Sequence, residues 1–527
     1  MDQESQIFKN DPNVDPELEK IQNFSGKYPK QLWYLFFSEM WERFCFYGMR
    51  GMLTFFMVHE LFMKDDVANL QYGATQAFVY AFTFIGGLFA DKILGFRKSL
   101  FWGGLLMIVG SCILAADPHK FFFLGISFNI IGTGFFKPNI STMVGSLYKT
   151  GDARRDAGFS LFYSGINIGA LLGGYACITI GKEYSWNLAF GLAAIVMAIS
   201  LITFVFTRKS LGPIGLSPLL PRPVADFAGG KDVNILTENK PVQGGVKNAK
   251  LYEILVYIGS LAIIPVIMTM VAKTEYTDWF MYIIGPAALL YLFYEMTKYS
   301  AKEKQKLLAA LVFIVFSVLF WAFFEQSGGS LSLFAAENLN DKLLGAIPAD
   351  PNGVNNAANS LFVIIFAPVV GLVWLGLAKK KIEPNTVVKF GLGFLFLAAA
   401  FYVFYATVHF ANAEGVTSLD VFTMAYLVIT FGELCLSPIG LSIMTKLSPK
   451  PLQGMMMGMW FLASAYGQYV AGILGAGISQ AGEGASKMDK LISYTNGYQQ
   501  LAIYALVAGV VMIAISPIVR KLMHEVK

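Results

Sequence analysis

Glu39, Glu42, Arg43, Tyr47 and Arg50 are spaced so that a helix would carry them on one face. Two carboxylates beside two guanidiniums can hold an ionic ligand, exchange a proton or neutralise one another. They stand inside an apolar segment from Leu32 to Phe62, after Trp33-Tyr34-Leu35-Phe36-Phe37 and before Met52-Leu53-Thr54-Phe55-Phe56-Met57. The ordinary alternative, a charged collar at a membrane surface, would put such groups at the end of a span, whereas these lie within it. Ionisable side chains at that depth face a bundle interior or a water-filled cavity and pair with one another.

The other ionisable residues deep in apolar segments are few. They are Lys137 in Gly134-Phe135-Phe136-Lys137-Pro138-Asn139, Glu325 in Trp321-Ala322-Phe323-Phe324-Glu325-Gln326-Ser327, and Glu433 in Phe431-Gly432-Glu433-Leu434. Unpaired burial of any of them is costly, so gathering around one cavity is the economical arrangement. A cavity with both signs of charge suits a zwitterion. Arg50 and Lys137 would hold its carboxylate and Glu433 its ammonium. Glu42 and Glu325 are candidates to carry a coupled proton, because burial disfavours a charged carboxylate. Asn167 and Asn359 either join helices or meet the ligand. Tyr47, Tyr80, Trp321 and Trp460 are either packing residues or pocket lining.

The elements that must position these groups follow from composition. The chain has 527 residues, 55% of them hydrophobic and 14% charged, with a mean hydropathy of +0.55. Those values describe a polytopic all-α membrane protein rather than a large soluble one. The net charge of +5 is assigned to loops on one side of the membrane and implies no nucleic acid. The first 30 residues show no cleavable leader, so the first span is expected to serve as the insertion signal. Apolar runs occur near 33–62, 70–94, 98–116, 121–148, 157–181 and 186–206, then near 251–272 and 278–298. Six more lie near 306–336, 357–378, 386–411, 419–447, 452–480 and 497–519. The reading is 14 transmembrane helices, grouped six, two and six. Residues 1–30 are then a cytoplasmic segment, 31–206 one six-helix bundle, 207–304 a linker with two extra spans, and 305–527 a second bundle with a short tail.

Basic clusters at Lys27/Lys30, Lys92/Arg97/Lys98, Arg154/Arg155, Arg208/Lys209, Lys298 to Lys306, Lys379 to Lys381, Lys446/Lys450 and Arg520/Lys521 all fall on one face if both termini are cytoplasmic. Cys45, Cys112, Cys177 and Cys435 lie in apolar segments without metal-binding spacing. His59, His119, His409 and His524 sit near span ends, in a loop or in the tail, and neither HExxH nor GxSxG occurs. No enzyme, catalytic residue or metal site is therefore expected. A receptor is equally unsupported, since no sizeable soluble domain is present.

Two six-span halves suggest the major facilitator superfamily fold. The stretch Gly86-Gly87-Leu88-Phe89-Ala90-Asp91-Lys92-Ile93-Leu94-Gly95-Phe96-Arg97-Lys98 resembles that superfamily's loop signature. More specifically, Glu39 to Gly48 resembles the ExxERFxYYG motif of the proton-coupled oligopeptide transporter (POT, or PTR) family. Phe162-Tyr163-Ser164-Gly165-Ile166-Asn167-Ile168-Gly169 resembles its FYxxINxGS element. The two extra spans are a feature of its bacterial members.

The resemblance implies a proton-coupled importer of di- and tripeptides in the bacterial cytoplasmic membrane. It implies alternating access driven by the proton gradient, no cofactor and a monomer in the lipid bilayer. It assigns Glu39, Glu42, Arg43 and Glu325 to proton coupling. Arg50 and Lys137 are assigned to the peptide carboxylate and Glu433 to its amino terminus. Asn167 and Asn359 fall near the peptide backbone, and Tyr47, Tyr80, Trp321 and Trp460 line the pocket. Phe46, Ala170 and Ser360 depart from residues usual in the family; Phe46 removes a phenolic hydroxyl, which leaves the side-chain preference open but not the coupling machinery. The competing transporter reading is a symporter for another anionic or zwitterionic solute such as nitrate or an amino acid; the intact ExxER triad and Glu433 favour peptide, since a simple anion needs no ammonium partner.

Overall fold

The computed structural model describes residues 15–149, 151–219, 248–436, 440–480 and 484–526. A short helix, α1 (Pro16–Gln22), is capped by the Asp15 carboxylate. Six long helices follow: α2 (Lys30–His59), α3 (Asp65–Phe89), α4 (Phe96–Ala116), α5 (Pro118–Ser146), α6 (Arg154–Glu183) and α7 (Trp186–Thr207). The linker contributes α8 (Ala249–Ala262) and α9 (Ile264–Ala272), one span broken before Pro265, and then α10 (Thr274–Met296). The rest comprises α11 (Ala301–Phe324), α12 (Ser330–Asn338), α13 (Pro351–Lys379), α14 (Thr386–Ala406), α15 (Leu419–Leu436) and α16 (Gly440–Leu447). It closes with α17 (Gln453–Ile478), α18 (Lys487–Ala514) and α19 (Ser516–Met523). An antiparallel ribbon of β1 (Lys342–Leu343) and β2 (Ile347–Pro348) lies between α12 and α13.

Among the described residues, thirteen helical stretches are long and apolar enough to cross a membrane. The long helix α2 misses that group on composition alone. Every 18-residue window of it holds at least three of Glu39, Glu42, Arg43 and Arg50. The chain is thus an all-α, multi-pass membrane protein whose first span concentrates four charged side chains, Glu39, Glu42, Arg43 and Arg50.

Several boundaries differ from those read in the sequence, each for a polar reason. The run 306–336 is interrupted: α11 stops at Phe324, a 3-10 turn covers Glu325–Gly328, and α12 begins at Ser330. α13 starts at Pro351 rather than near 357. Asp350 caps it, and the Asn352 and Asn355 amides each donate at 2.7 Å to the Ser332 and Ser327 carbonyls. α18 starts at Lys487 rather than near 497, nucleated by a reciprocal cap between Ser486 and Asp489. Within the run 419–447 the described helices are α15 and α16, and 437–439 lie outside the described residues.

The buried apolar residues form two large cores, one running from Ile21 to Val271 and one from Leu292 to Met523. The linker is shared between them: Val256, Ile264, Ile267 and Val271 join the first core, Leu292 and Met296 the second. Polar ties reinforce this, with Lys98 to Glu253 at 2.6 Å on one side and the Tyr469 hydroxyl to Asp278 at 2.6 Å on the other. In the loop after α3, Gly95 has a φ of +75° and lies against the backbone of Leu216 and Ser217. The neighbouring Arg97 donates to the Ile214 carbonyl at 2.6 Å, so this basic loop clasps the segment after α7.

The two halves meet where α3 crosses α17 and where α6 crosses α13. Gly73 and Gly472 make the first crossing possible, since a Cβ on Gly73 would lie 2.7 Å from the Gly472 Cα. Gly73→Ala is therefore expected to destabilise the protein by about 1–3 kcal/mol through overpacking. A lower thermal unfolding midpoint in detergent would register it. Gly259→Ala, on an open face of α8, is the control and should leave the midpoint unchanged or slightly raised.

Candidate functional site

Glu39, Glu42 and Arg43 sit where α6 packs closely on α2, an approach that glycines permit. A Cβ on Gly169 would strike the Met40 carbonyl, and one on Gly173 the Phe44 carbonyl. The three charged side chains are at most 2% exposed. Arg43 Nε donates to Glu39 Oε1 at 2.9 Å and lies 2.6 Å from Glu42 Oε2. Two carboxylates thus compete for one N–H, and neither Glu42 oxygen has a hydrogen bond among the described residues. Lys137, from α5, lies over the Tyr80 ring at 4.3 Å, and its distance to the Phe46 ring is 5.8 Å. Arg43 lies 5.4 Å from that same Phe46 ring. Phe46 is buried beside two cations and is not part of the cavity wall.

One helical turn beyond Tyr47, Arg50 reaches across to the second half and pairs through Nη2 with Glu325. Its Nε donates to the Tyr72 hydroxyl at 2.6 Å. Around this pair the halves are stitched together. Thr54 donates to the Gly328 carbonyl, the Asn356 amide to the Gly51 carbonyl at 3.3 Å, and Lys182 pairs with Asp350. These contacts run from mid-depth to the end of the bundle opposite α1 and α19.

A cavity of about 130 Å³ lies between the halves at this depth. It brings together eight of the residues singled out from the sequence: Tyr47, Arg50, Tyr80, Asn167, Trp321, Glu325, Asn359 and Glu433. Glu433, on α15, accepts from the Asn359 amide at 3.0 Å and lies 3.5 Å from the Tyr163 hydroxyl. It pairs with no cation among the described residues. The Trp321 indole N–H, on the cavity wall, has no hydrogen bond among the described residues. Asn167 spends its amide on the Tyr163 carbonyl of its own helix, at 3.0 Å.

Glu39, Glu42, Arg43, Lys137 and Trp460 do not line the cavity. The first three are buried together, and half-buried Lys137 shares the Phe46 ring with Arg43. Trp460 is buried in the second core against Gly440, where its bulk fills a helix contact. Sequence reasoning overlooked Tyr72, Asn355, Asn356 and Tyr426. The Tyr426 hydroxyl donates to Asn355 Oδ1 at 2.6 Å, and Asn356 and Tyr426 line the cavity. The asparagines at 352, 355 and 356, spaced with Asn359, were the available clue, but they precede the apolar run near 357–378 and fell outside the span read from the sequence.

Comparison with known proteins gives one consistent answer. The POT family profile matches residues 97–488. The chain is 34% identical over 512 residues to the peptide transporter YePEPT of Yersinia enterocolitica, covering 94% of this chain and 96% of the relative. It is 27% identical to the dipeptide and tripeptide permease B of Aeromonas hydrophila, covering 94% of each. A crystal structure of a peptide transporter POT mutant in complex with alafosfalin superimposes with a TM-score of 0.77 at 30% identity, covering 97% of this chain and all of the other. A POT family transporter in complex with a thioalcohol-conjugated peptide gives a TM-score of 0.77 at 28% identity, over 95% of this chain and 99% of the other.

The Arg50–Glu325 pair should hold the opposite end of the bundle closed, because removing one partner of a buried pair costs about 3–5 kcal/mol. Spin labels at Tyr184 and Leu344, exposed loop positions in different halves, with Cys112 replaced, would report this. Glu325→Gln is expected to add a longer-distance population that the unsubstituted protein lacks.

Proposed function

Because the chain belongs to the POT family, whose members are transporters rather than enzymes, we propose that this peptide transporter is a proton-coupled symporter importing di- and tripeptides by alternating access. The observation that carries the reading is the distribution of charge around the cavity. At one end Arg50 and Glu325 cancel each other, and at the other Glu433 has only neutral hydrogen-bonding neighbours. A zwitterionic peptide fits that pattern, its ammonium going to Glu433 and its carboxylate to Arg50, with Lys137 behind. A simple anion would leave Glu433 without a partner.

Coupling follows from charge balance. When the peptide carboxylate takes Arg50, Glu325 loses its counter-ion, and a proton removes the resulting cost of a lone buried carboxylate. The second proton-accepting position is the cluster of Glu39, Glu42 and Arg43. There one shared N–H faces two carboxylates, so a proton on Glu42 leaves Arg43 to Glu39. With the Arg50–Glu325 pair broken, the contacts at that end can part and the halves rock across the α3–α17 and α6–α13 crossings. Loss of proton and peptide on the other side lets the pair re-form.

The basic clusters support a reading in which α1 and α19 face the cytoplasm, and family membership supports a bacterial inner membrane. The closed end is then the outer one. The driving force is the proton gradient, and the reading requires neither a cofactor nor a second subunit.

Uptake of a radiolabelled dipeptide into proteoliposomes, with and without an inward proton gradient, tests the proposal. Glu42→Gln should lose accumulation against a concentration difference while keeping peptide exchange between the two sides. Full gradient-driven accumulation by that variant would count against the coupling scheme. Glu433→Gln should raise KM for dipeptides about tenfold, the cost of losing a charge-assisted hydrogen bond.

A further inference from the structure

Arg50 carries five N–H donors in a rigid fork, and the structure engages them unevenly. Nε donates to the Tyr72 hydroxyl at 2.6 Å. Nη2 meets Glu325 and, at 3.4 Å, the Ser327 hydroxyl. Nη1 has no hydrogen bond among the described residues, while Arg50 itself lines the cavity. Two sides of the guanidinium are held, and the remaining one is available to a ligand.

The two holders differ in kind. Glu325 belongs to the second half, so its grip is lost when the halves separate. Tyr72 stands on α3, in the same half as Arg50, so its grip can persist through the movement. Its hydroxyl is neutral and fixes Nε without cancelling the charge that a carboxylate would seek. Tyr72 is 1% exposed and absent from the cavity wall, so any influence on a ligand passes through Arg50. The Arg50 guanidinium lies 5.8 Å from the Tyr47 ring and 5.9 Å from the Tyr72 ring. The Tyr72 hydroxyl is also confined by Gly328, where an added Cβ would collide with it.

We propose that Tyr72 is a positioning residue for transport, holding Arg50 so that the free Nη1 edge meets the carboxylate of an incoming peptide and the guanidinium keeps its orientation as Glu325 is displaced. The inference rests on the reading of Arg50 as the carboxylate site. Loss of the hydroxyl leaves Nε without an acceptor and lets the guanidinium follow Glu325, so the effect should fall selectively on ligands that carry a carboxylate.

The test compares alanyl-alanine with its C-terminal amide, by calorimetric binding to the purified full-length protein and by uptake kinetics in proteoliposomes. Tyr72→Phe is expected to weaken binding of the free acid about tenfold, with a matching rise in KM and little change in kcat. Its affinity for the amide should stay near that of the unsubstituted protein. Gly328→Ala, which keeps the ring and displaces the hydroxyl, should erode the preference for the acid in the same direction. It gives the same reading if Tyr72→Phe does not fold. Equal weakening toward both ligands, or undiminished preference for the acid, would overturn the proposal alone. If the unsubstituted protein binds acid and amide equally well, the assignment of the carboxylate to Arg50 fails, and the role of Tyr72 with it.

Discussion

Arg50 and Glu325 are 275 residues apart in sequence, come from different halves of the fold, and have side chains only 12% and 4% exposed. Neither charge tolerates that setting alone, and removing one partner of such a pair costs about 3–5 kcal/mol. Closure of one end of the bundle therefore carries an ionic condition. While the pair stands, Thr54 meets Gly328, Asn356 meets Gly51 and Lys182 meets Asp350. Whatever separates Arg50 from Glu325 must supply each with something else. In the proposed cycle a peptide carboxylate serves Arg50 and a proton serves Glu325.

The fold prepares both partners for exchange. Glu325 lies where α11 gives way to a 3-10 turn, so its carboxylate is not fixed by a continuous helix. Arg50 sits on an unbroken helix and is steadied by Tyr72 from its own half. The paired glycines at 73 and 472 bring α3 and α17 into backbone contact, which gives the halves a smooth surface to move along. The linker helices bind both halves at once, through Glu253 to α4 and through Asp278 to α17.

Much of this was legible in the chain because charge inside an apolar run is rare and costly. The charged face of α2, the glutamates at 325 and 433, and the cavity that Arg50 shares with those two follow from that one argument, whereas Glu39, Glu42, Arg43 and Lys137 gather beside the cavity rather than around it. What stayed hidden was decided by tertiary packing. Nothing in the sequence distinguishes Trp460, which packs in a core, from Trp321, which lines the cavity. The motif marks Phe46 as a departure without saying what it touches, and the structure turns it toward Arg43 and Lys137. Tyr72 looked like one more aromatic, since its partner lies on another helix. The asparagine-rich start of α13 fell outside the span read from the sequence because its amides find carbonyls only once α12 is in place.

The central claim is that peptide and proton replace one ion pair, and proton release or uptake on binding tests it most directly. Calorimetric titration of a dipeptide in buffers of different ionisation enthalpy counts the protons exchanged. The account requires uptake of about one proton per peptide bound, and its loss in Glu325→Gln. Binding with no proton uptake, or uptake unchanged by that substitution, would contradict it.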